Sequence, residues 1–402
     1  MRAASARLAD PVRADRVGRR LTSVGEPKTS WTGERETPSR SPQPSKFGLE
    51  FDDRSFLVAR GRGLIGRNPT PPEGDQTTHL VTLTDPTGSL SRTHLEFGID
   101  TSGLWVRDRH STNGSEVEVD GHREHLEPGQ VVPVRPASTI HLGGRRIRVR
   151  TVDSRAVIDG VTLEWGAATH TGAGRERNQD TFGTRPPVFA VADGIGSHSA
   201  GDLASRAGVQ AFLNLAERQP VTPETIDSAF ADARSRIARI PVTDGRGQPG
   251  TTLSGVIVTR CDGAPCWTVV NLGDSRTYRL NEAGLYQISV DHSIGQKLID
   301  DGVIASAESG RIPLQNILNR ALVGSVAHSP DMWRLPINIG DRILVCSDGV
   351  SSAVDDSTIR RVLEEVRDPQ AAAEALVESA TRAGGRDDVT AVVVDAVAIT
   401  PR

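Results

Sequence analysis

Two folds in tandem are predicted: an all-β sandwich, then an α+β unit of antiparallel sheets covered by helices. Three observations predict them. From Phe47 to about Val152 the chain reads as short alternating runs (SFLVAR, HLVTLT, THLEFGI, LWVRD, EVEVD, IRVRT). Gly, Pro, Asp and Asn break these runs every ~8–12 residues, and no 3.6-residue period is sustained there. From Gly160 onward, amphipathic helical stretches mix with strand runs that cluster in hairpin-like pairs, which favours antiparallel sheets over a doubly wound parallel one. A length of 402 residues accommodates both units, since a domain usually takes ~100–200.

Residues 1–46 hold 10 basic and 5 acidic side chains, with Pro38, Pro42 and Pro44 and no apolar periodicity. A disordered basic arm is predicted there. The sandwich follows over 47–152, a linker over 153–159, and the second unit over 160–398. In that unit, 201–219 brings Leu203, Ala207, Val209, Phe212, Leu213 and Leu215 near one helical face, and 223–240 continues likewise. Strand runs LSGVIVTR, CWTVVNLGD, RTYRL and RILVCSD come next. Helices are then expected at 356–366 and 370–383, and VTAVVVDAV closes the fold.

Composition excludes several classes. No run approaches the ~18 apolar residues of a membrane-spanning helix, and the N-terminus lacks the ~7–15-residue apolar stretch of a secretory signal. Three cysteines, Cys261, Cys266 and Cys346, argue for a reducing compartment and a soluble, cytoplasmic protein. None is followed six residues later by arginine, so a cysteine-nucleophile phosphatase is ruled out. Lysines number 3 against 44 arginines, and Lys297 is followed by Leu298, so no P-loop exists. The basic excess is confined to the arm, so nucleic acid is not favoured as a partner. Zinc is disfavoured as well: His122 and His125 lack helical spacing, and Cys261 and Cys266 have no second pair.

Three loop clusters of the first unit carry anion-binding chemistry: Gly66-Arg67, Ser91-Arg92-Thr93-His94, and Asp108 to Ser115 with Thr112-Asn113-Gly114. A phosphate monoester is met by guanidinium groups, hydroxyls, amides and backbone N–H groups. A sandwich gathers distant loops at one end. In this order the clusters resemble the forkhead-associated domain over roughly 47–150. The resemblance implies that Arg67, Ser91, Arg92, Thr112 and Asn113 contact a phosphothreonine peptide, while Gly66, His94 and Gly114 shape the loops.

In the second unit, aspartates stand where apolar runs end: Asp180 after RERNQ, Asp193 after VFAVA, Asp274 after WTVVNLG, Asp348 after RILVCS, and Asp387-Asp388 before VTAVVV. A carboxylate at the end of a buried strand is costly unless paired or metal-bound. Hard divalent cations of the Mg2+ or Mn2+ type take such oxygen ligands.

The segments GAGRERNQD, VFAVADGIGSHSAGDLAS, GTTLSGVIV, VVNLGDSRTYRL, DHS, NILNRAL, GDRILVCSDGV and GGRDDVTAVVV resemble, in family order, the metal-dependent Ser/Thr protein phosphatases of the protein phosphatase 2C type. That resemblance implies a four-layer αββα sandwich. It makes Asp193 a bridge between two Mg2+ or Mn2+ ions and Gly194 a backbone-carbonyl ligand, with Asp348 and Asp387 completing a shell. Asp180 would act through metal-bound water, and Asp274 with Asp348 would form a weaker third site. Arg175 would clamp the substrate phosphate, and His198 is the candidate for protonating the departing oxygen. Three positions depart from the family pattern: Gly196-Ser197-His198 for Gly-Gly-His, Ile312-Pro313 for His-Pro, and Asp388 for a frequent asparagine.

The function expected is metal-dependent dephosphorylation of phosphoserine and phosphothreonine proteins, with a built-in reader recruiting phosphothreonine partners, among them a Ser/Thr protein kinase. The alternative is a phosphothreonine-binding signalling adaptor whose phosphatase half is inactive or regulatory. The scarcity of lysine suggests a GC-rich bacterial source.

Overall fold

The computed structural model describes residues 46–400 apart from 53–54, 73, 75–76, 84, 101, 153, 174, 197–199, 219, 243–247 and 305–316. The basic arm expected over 1–46 therefore lies outside the described residues but for Lys46.

The N-terminal unit is a sandwich of two sheets. One contains Phe56–Ala59, Lys46–Phe51, Arg145–Val152, Thr139–Leu142, Ser115–Val119 and His122–His125 in spatial order. The other orders His79–Thr82, Arg62–Gly66, Leu95–Asp100, Gly103–Asp108 and Val131–Pro133, with the first two parallel. Period-two patterning decides which faces meet. In RRIRVRTV, Ile147 and Val149 are fully buried while Arg146, Arg148 and Arg150 point to the outer face. Leu49, Ile65, Leu95, Phe97 and Val106 fill the space between the sheets.

The second unit has the four layers expected. Val161–His170, Val389–Ile399, Arg342–Cys346, Arg276–Asn281 and Gly284–Gln287 form one antiparallel sheet; Thr181–Arg185, Val188–Ala192, Leu253–Cys261, Ala264–Leu272 and Asp331–Pro336 form the facing one. These apolar runs are buried on both sides, so they read as continuous Val, Ile and Ala. Trp165, Phe189, Val256, Trp267 and Val392 pack between the sheets. Helices Ala200–Leu213 and Pro223–Ile237 cover the second sheet, and Asp356–Glu365 and Pro369–Arg382 cover the first. Their starts are written in sequence: Thr222 forms a capping box ahead of Pro223, and Asp355 and Asp368 each accept a backbone N–H of the first turn.

Two features depart from the sequence reading. The stretch expected as a linker over 153–159 contains the strand Arg155–Ile158, which pairs with Val161–His170 through a tight turn where Asp159 and Gly160 take φ of 50° and 83°. Cys261 and Cys266, taken as signs of a reducing environment, form a disulfide across the hairpin turning at Asp262-Gly263.

The two units share a sheet. Thr169 pairs with Phe56, so the first sheet of each unit joins into one of twelve strands. Arg60 donates to Asp368 at 2.7 Å, and the Phe56 and Phe182 rings meet edge to face at 5.5 Å. Among the described residues no helix is long and apolar enough to cross a membrane.

Candidate active site and anion-binding loops

The loops of the first unit converge as the spacing predicts. Gly66 ends its strand so close to the next loop that a Cβ there would lie 2.1 Å from the Arg92 carbonyl oxygen. This closeness lets Arg67 N–H donate to Ser91 O at 3.2 Å and His94 N–H donate to Ile65 O at 2.9 Å. His94 is fully buried, and its Nδ1 accepts from Ser91 N–H at 3.1 Å. Its Nε2–H therefore donates to Gly114 O at 3.1 Å, tying the second and third loops together. Burial holds the His94 pKa below its ordinary value, as befits a neutral strut. Thr112 N–H donates to Ser91 Oγ at 3.0 Å, and Asn113 Nδ2 donates to Ser89 O at 2.9 Å. Arg67, Arg92, Thr112 and Asn113 are exposed at this end of the sandwich. Arg67 and Arg92 have no ion-pair partner among the described residues, whereas Arg109 donates to the buried Glu96 at 2.8 Å. Uncommitted guanidinium groups, hydroxyls and amides are the donor types that suit a phosphate.

In the second unit the acids gather at the ends of the central strands. Asp180 sits at the start of Thr181–Arg185 and is 3 % exposed. Its Oδ2 accepts from Ser347 Oγ and from Thr390 Oγ1, each at 2.7 Å, and its backbone N–H donates to Asn178 Oδ1 at 2.9 Å. Burial, with Asp388 nearby, pushes the Asp180 carboxyl up to about 8 against the pull of those two hydroxyls. Asp193 follows Val188–Ala192. Its N–H donates to Thr252 Oγ1 at 2.9 Å, and its carbonyl accepts from Thr252 N–H at 2.9 Å and Thr251 Oγ1 at 2.7 Å. Burial and then Asp180, Asp348, Asp387 and Asp274 raise its carboxyl well above the usual carboxylate range. Asp274 follows Ala264–Leu272 and is pushed up to about 8 by burial, Asp348 and Asp291. Asp348 opens a short helix after Arg342–Cys346, raised by burial and by Asp387 while a hydrogen bond with Asp193 pulls it back.

Gly194 pairs with Thr251 in a two-residue strand, and a Cβ there would lie 2.3 Å from Gly201 O and 2.7 Å from Gln179 O. Glycine is what lets the Asp193 turn nestle between those backbones. Arg175 forms an ion pair with Asp387, lies 3.8 Å from Asp388 Oδ2, and donates to Gln179 Oε1 at 3.3 Å. His198 and Ser197 lie outside the described residues, as do Ile312 and Pro313.

The five acids thus act on one another, yet among the described residues no group of three or more His, Cys, Asp or Glu side chains closes on a single ligation point. Two atoms are telling: Asp180 Oδ1 and Asp348 Oδ1 are buried with no hydrogen-bond partner. Each is an acceptor paying its desolvation cost without return, which a proton or a cation relieves. The donor set, all hard oxygens, fits a divalent cation.

Sequence reasoning placed Asp388 among the acids but missed its anchoring role, and it missed the other groups that hold them. Asp388 is 1 % exposed and accepts from Gly172 N–H at 2.9 Å and Gln179 N–H at 2.7 Å, fastening the loop that bears Arg175. His292, 5 % exposed, accepts from Gly273 N–H at 3.0 Å and so sets the turn before Asp274. The signal for Thr390 was present: it is a lone hydroxyl in an otherwise apolar run.

Comparison with known proteins agrees with both halves. A family model described as FHA domain matches residues 63–143, and one described as Protein phosphatase 2C matches residues 168–386, more than half of the chain. The Ser/Thr protein phosphatase PstP of Mycobacterium tuberculosis is 34% identical over 242 residues, covering 59% of this chain and 46% of that protein. The chain thus spans about half the length of that relative. The Ser/Thr phosphatase stp of Listeria monocytogenes is 28% identical over 239 residues, covering 56% of this chain and 93% of that protein. The crystal structure of the PstP catalytic domain with two manganese ions superposes with a TM-score of 0.53 at 33% identity, covering 59% of this chain and 99% of that one. On these matches and on its four-layer fold, the chain belongs to the protein phosphatase 2C family and carries an FHA domain ahead of the catalytic fold.

Proposed function

We propose that the chain is a Mg2+- or Mn2+-dependent phosphatase of phosphoserine and phosphothreonine proteins, with an N-terminal sandwich that recruits phosphothreonine partners. One observation carries this reading: the buried, unpartnered Oδ1 atoms of Asp180 and Asp348 within a cluster of mutually repelling acids. Two divalent ions would be held by Asp193, Asp348, Asp387 and the Gly194 carbonyl, and a weaker third by Asp274 with Asp348. When bound, they would stabilise the charge on the phosphoryl group and acidify the attacking water.

The chain's own groups do the rest. Arg175 exchanges its contact with Asp387 for two phosphate oxygens and orients the ester by its planar fork. Ser347 and Thr390 fix Asp180 through Oδ2, leaving Oδ1 free to hold a proton or accept one from water. His198 delivers a proton to the departing serine or threonine oxygen, a poor leaving group as alkoxide. Arg67, Ser91, Arg92, Thr112 and Asn113 grip the phosphothreonine of a partner. Tethering then raises that partner's concentration near the acids, to millimolar order for short flexible linkers.

A bacterial Ser/Thr kinase circuit is the setting we propose, on the arginine bias and the bacterial relatives; nucleic acid has no part in it. The cytoplasm is the compartment proposed, on the sparse cysteines. The Cys261–Cys266 disulfide counts against it, because such bonds are uncommon in reducing compartments. The experiment is hydrolysis of p-nitrophenyl phosphate by the full chain with Mn2+, compared with Asp193→Ala. Loss of turnover to background in the variant supports the reading; equal rates overturn it.

A further inference from the structure

A cavity of about 410 Å3 lies where the N-terminal sandwich meets Thr181–Arg185, the outer strand of the second catalytic sheet. Both units build it. Phe56 and Arg150 come from the sandwich, and Trp165, Asp180, Phe182 and Arg206 from the catalytic fold.

Three properties distinguish it from a packing gap. Its size falls in the ~300–1,000 Å3 range of small-molecule sites, which favour domain interfaces. Trp165, 2 % exposed, keeps its Nε1–H buried with no acceptor, although a buried indole N–H ordinarily finds one. The Gln370 amide in the same wall shows the usual outcome, with both its ends spent on the Ala167 backbone. Finally, two guanidinium groups border the space. Arg150 is paired with Glu50, but Arg206 is exposed and has no ion pair or hydrogen bond among the described residues. The edge-to-face rings of Phe56 and Phe182 supply the apolar part of the wall, while Glu50, which is paired with Arg150, Asp180 and four threonines make the rest polar.

We propose that this cavity binds a small amphipathic organic anion: an apolar body against Phe56 and Phe182, an acceptor on Trp165 Nε1, and an anionic head on Arg206. Because the walls belong to two units, an occupant binds only their docked arrangement and stabilises it by linkage. Asp180 stands in the same wall, so the occupant's inner end lies beside the acid cluster. The site requires neither divalent ions nor a phosphoprotein, and it stands or falls apart from the phosphatase reading.

Titration of the full chain with 1-anilinonaphthalene-8-sulfonate, an aromatic body bearing one sulfonate, is the test. The expected result is saturable fluorescence at one equivalent. Arg206→Glu, an exposed change, weakens that binding at least tenfold while leaving circular dichroism and the thermal midpoint unchanged. Thr184→Trp, which fills the space, removes the saturable phase. A signal that does not saturate, or an affinity unaltered by Arg206→Glu in a folded protein, overturns the proposal.

Discussion

Ser347 Oγ donates to Asp180 Oδ2 at 2.7 Å across 167 residues of chain. That contact joins the end of one sheet's strand to the start of the other's. The second oxygen of Asp180 is buried and has no donor. The hydroxyl also acts on charge, since it holds the Asp180 carboxyl lower than burial alone would leave it.

Removing that hydroxyl should therefore raise the Asp180 carboxyl in the metal-free protein. Ser347→Ala should push it further above about 8, by roughly one unit for the loss of one hydrogen bond to a carboxylate. In chelator, carboxyl titration followed by 13C NMR should show the highest-titrating aspartate of wild type moved to higher pH in the variant. A titration identical to wild type contradicts the role given to Ser347.

Stability without metal should fall as pH rises. Asp180 and Asp274 have folded pKa values pushed up to about 8 from an ordinary 3.8. The folded state therefore binds more protons than the unfolded state across that interval, and stability declines through it. In chelator, the thermal midpoint should be lower at pH 8 than at pH 5, and Asp180→Asn with Asp274→Asn should flatten the dependence. Mn2+ should restore stability most at the alkaline end. Thermal scans at four or five pH values decide it; a slope of opposite sign refutes the assignment.

Arg67→Ala should separate the two halves. A charge-assisted hydrogen bond to phosphate contributes about 1.5–3 kcal/mol, so binding of a phosphothreonine peptide should weaken by at least tenfold. Hydrolysis of p-nitrophenyl phosphate should continue at the wild-type rate. Fluorescence anisotropy with a labelled peptide and its unphosphorylated twin provides the readout, and undiminished binding removes Arg67 from the cradle.

Gly194→Ala should be costly for steric reasons alone. The added Cβ would meet the carbonyl oxygens of Gly201 and Gln179 at 2.3 and 2.7 Å, both of them backbone. Overpacking of this kind costs about 1–3 kcal/mol, and the displaced turn is the one that presents Asp193. A lowered thermal midpoint with weakened Mn2+ binding by calorimetry is expected; unchanged values of both would show that the turn has room.

Much of this was legible in the sequence. Helices expected at 223–240, 356–366 and 370–383 occur at Pro223–Ile237, Asp356–Glu365 and Pro369–Arg382, because caps and apolar periodicity agree there. The acids were legible because each interrupts an apolar run where burial leaves a carboxylate no cheap exit. The strand Arg155–Ile158 was not, since a run of four residues shows too little alternation; yet Asp159-Gly160 after it is a strong hairpin signal. The same Asp-Gly signal at 262–263 brings Cys261 opposite Ala264 and Cys266 opposite Thr259, placing both cysteines diagonally on one face. The shared sheet was beyond reach of the sequence, because a single pairing of Thr169 with Phe56 reports how two units dock rather than any local pattern.

The most direct test is an anomalous difference map from a crystal of the full chain grown with Mn2+. Two peaks should bracket the Asp193 carboxylate at ligand distances of roughly 2.0–2.6 Å, with Asp348 and Asp387 turned toward them and Arg175 released from Asp387. A map with no peak within that distance of Asp193, Asp348 or Asp387 contradicts the account.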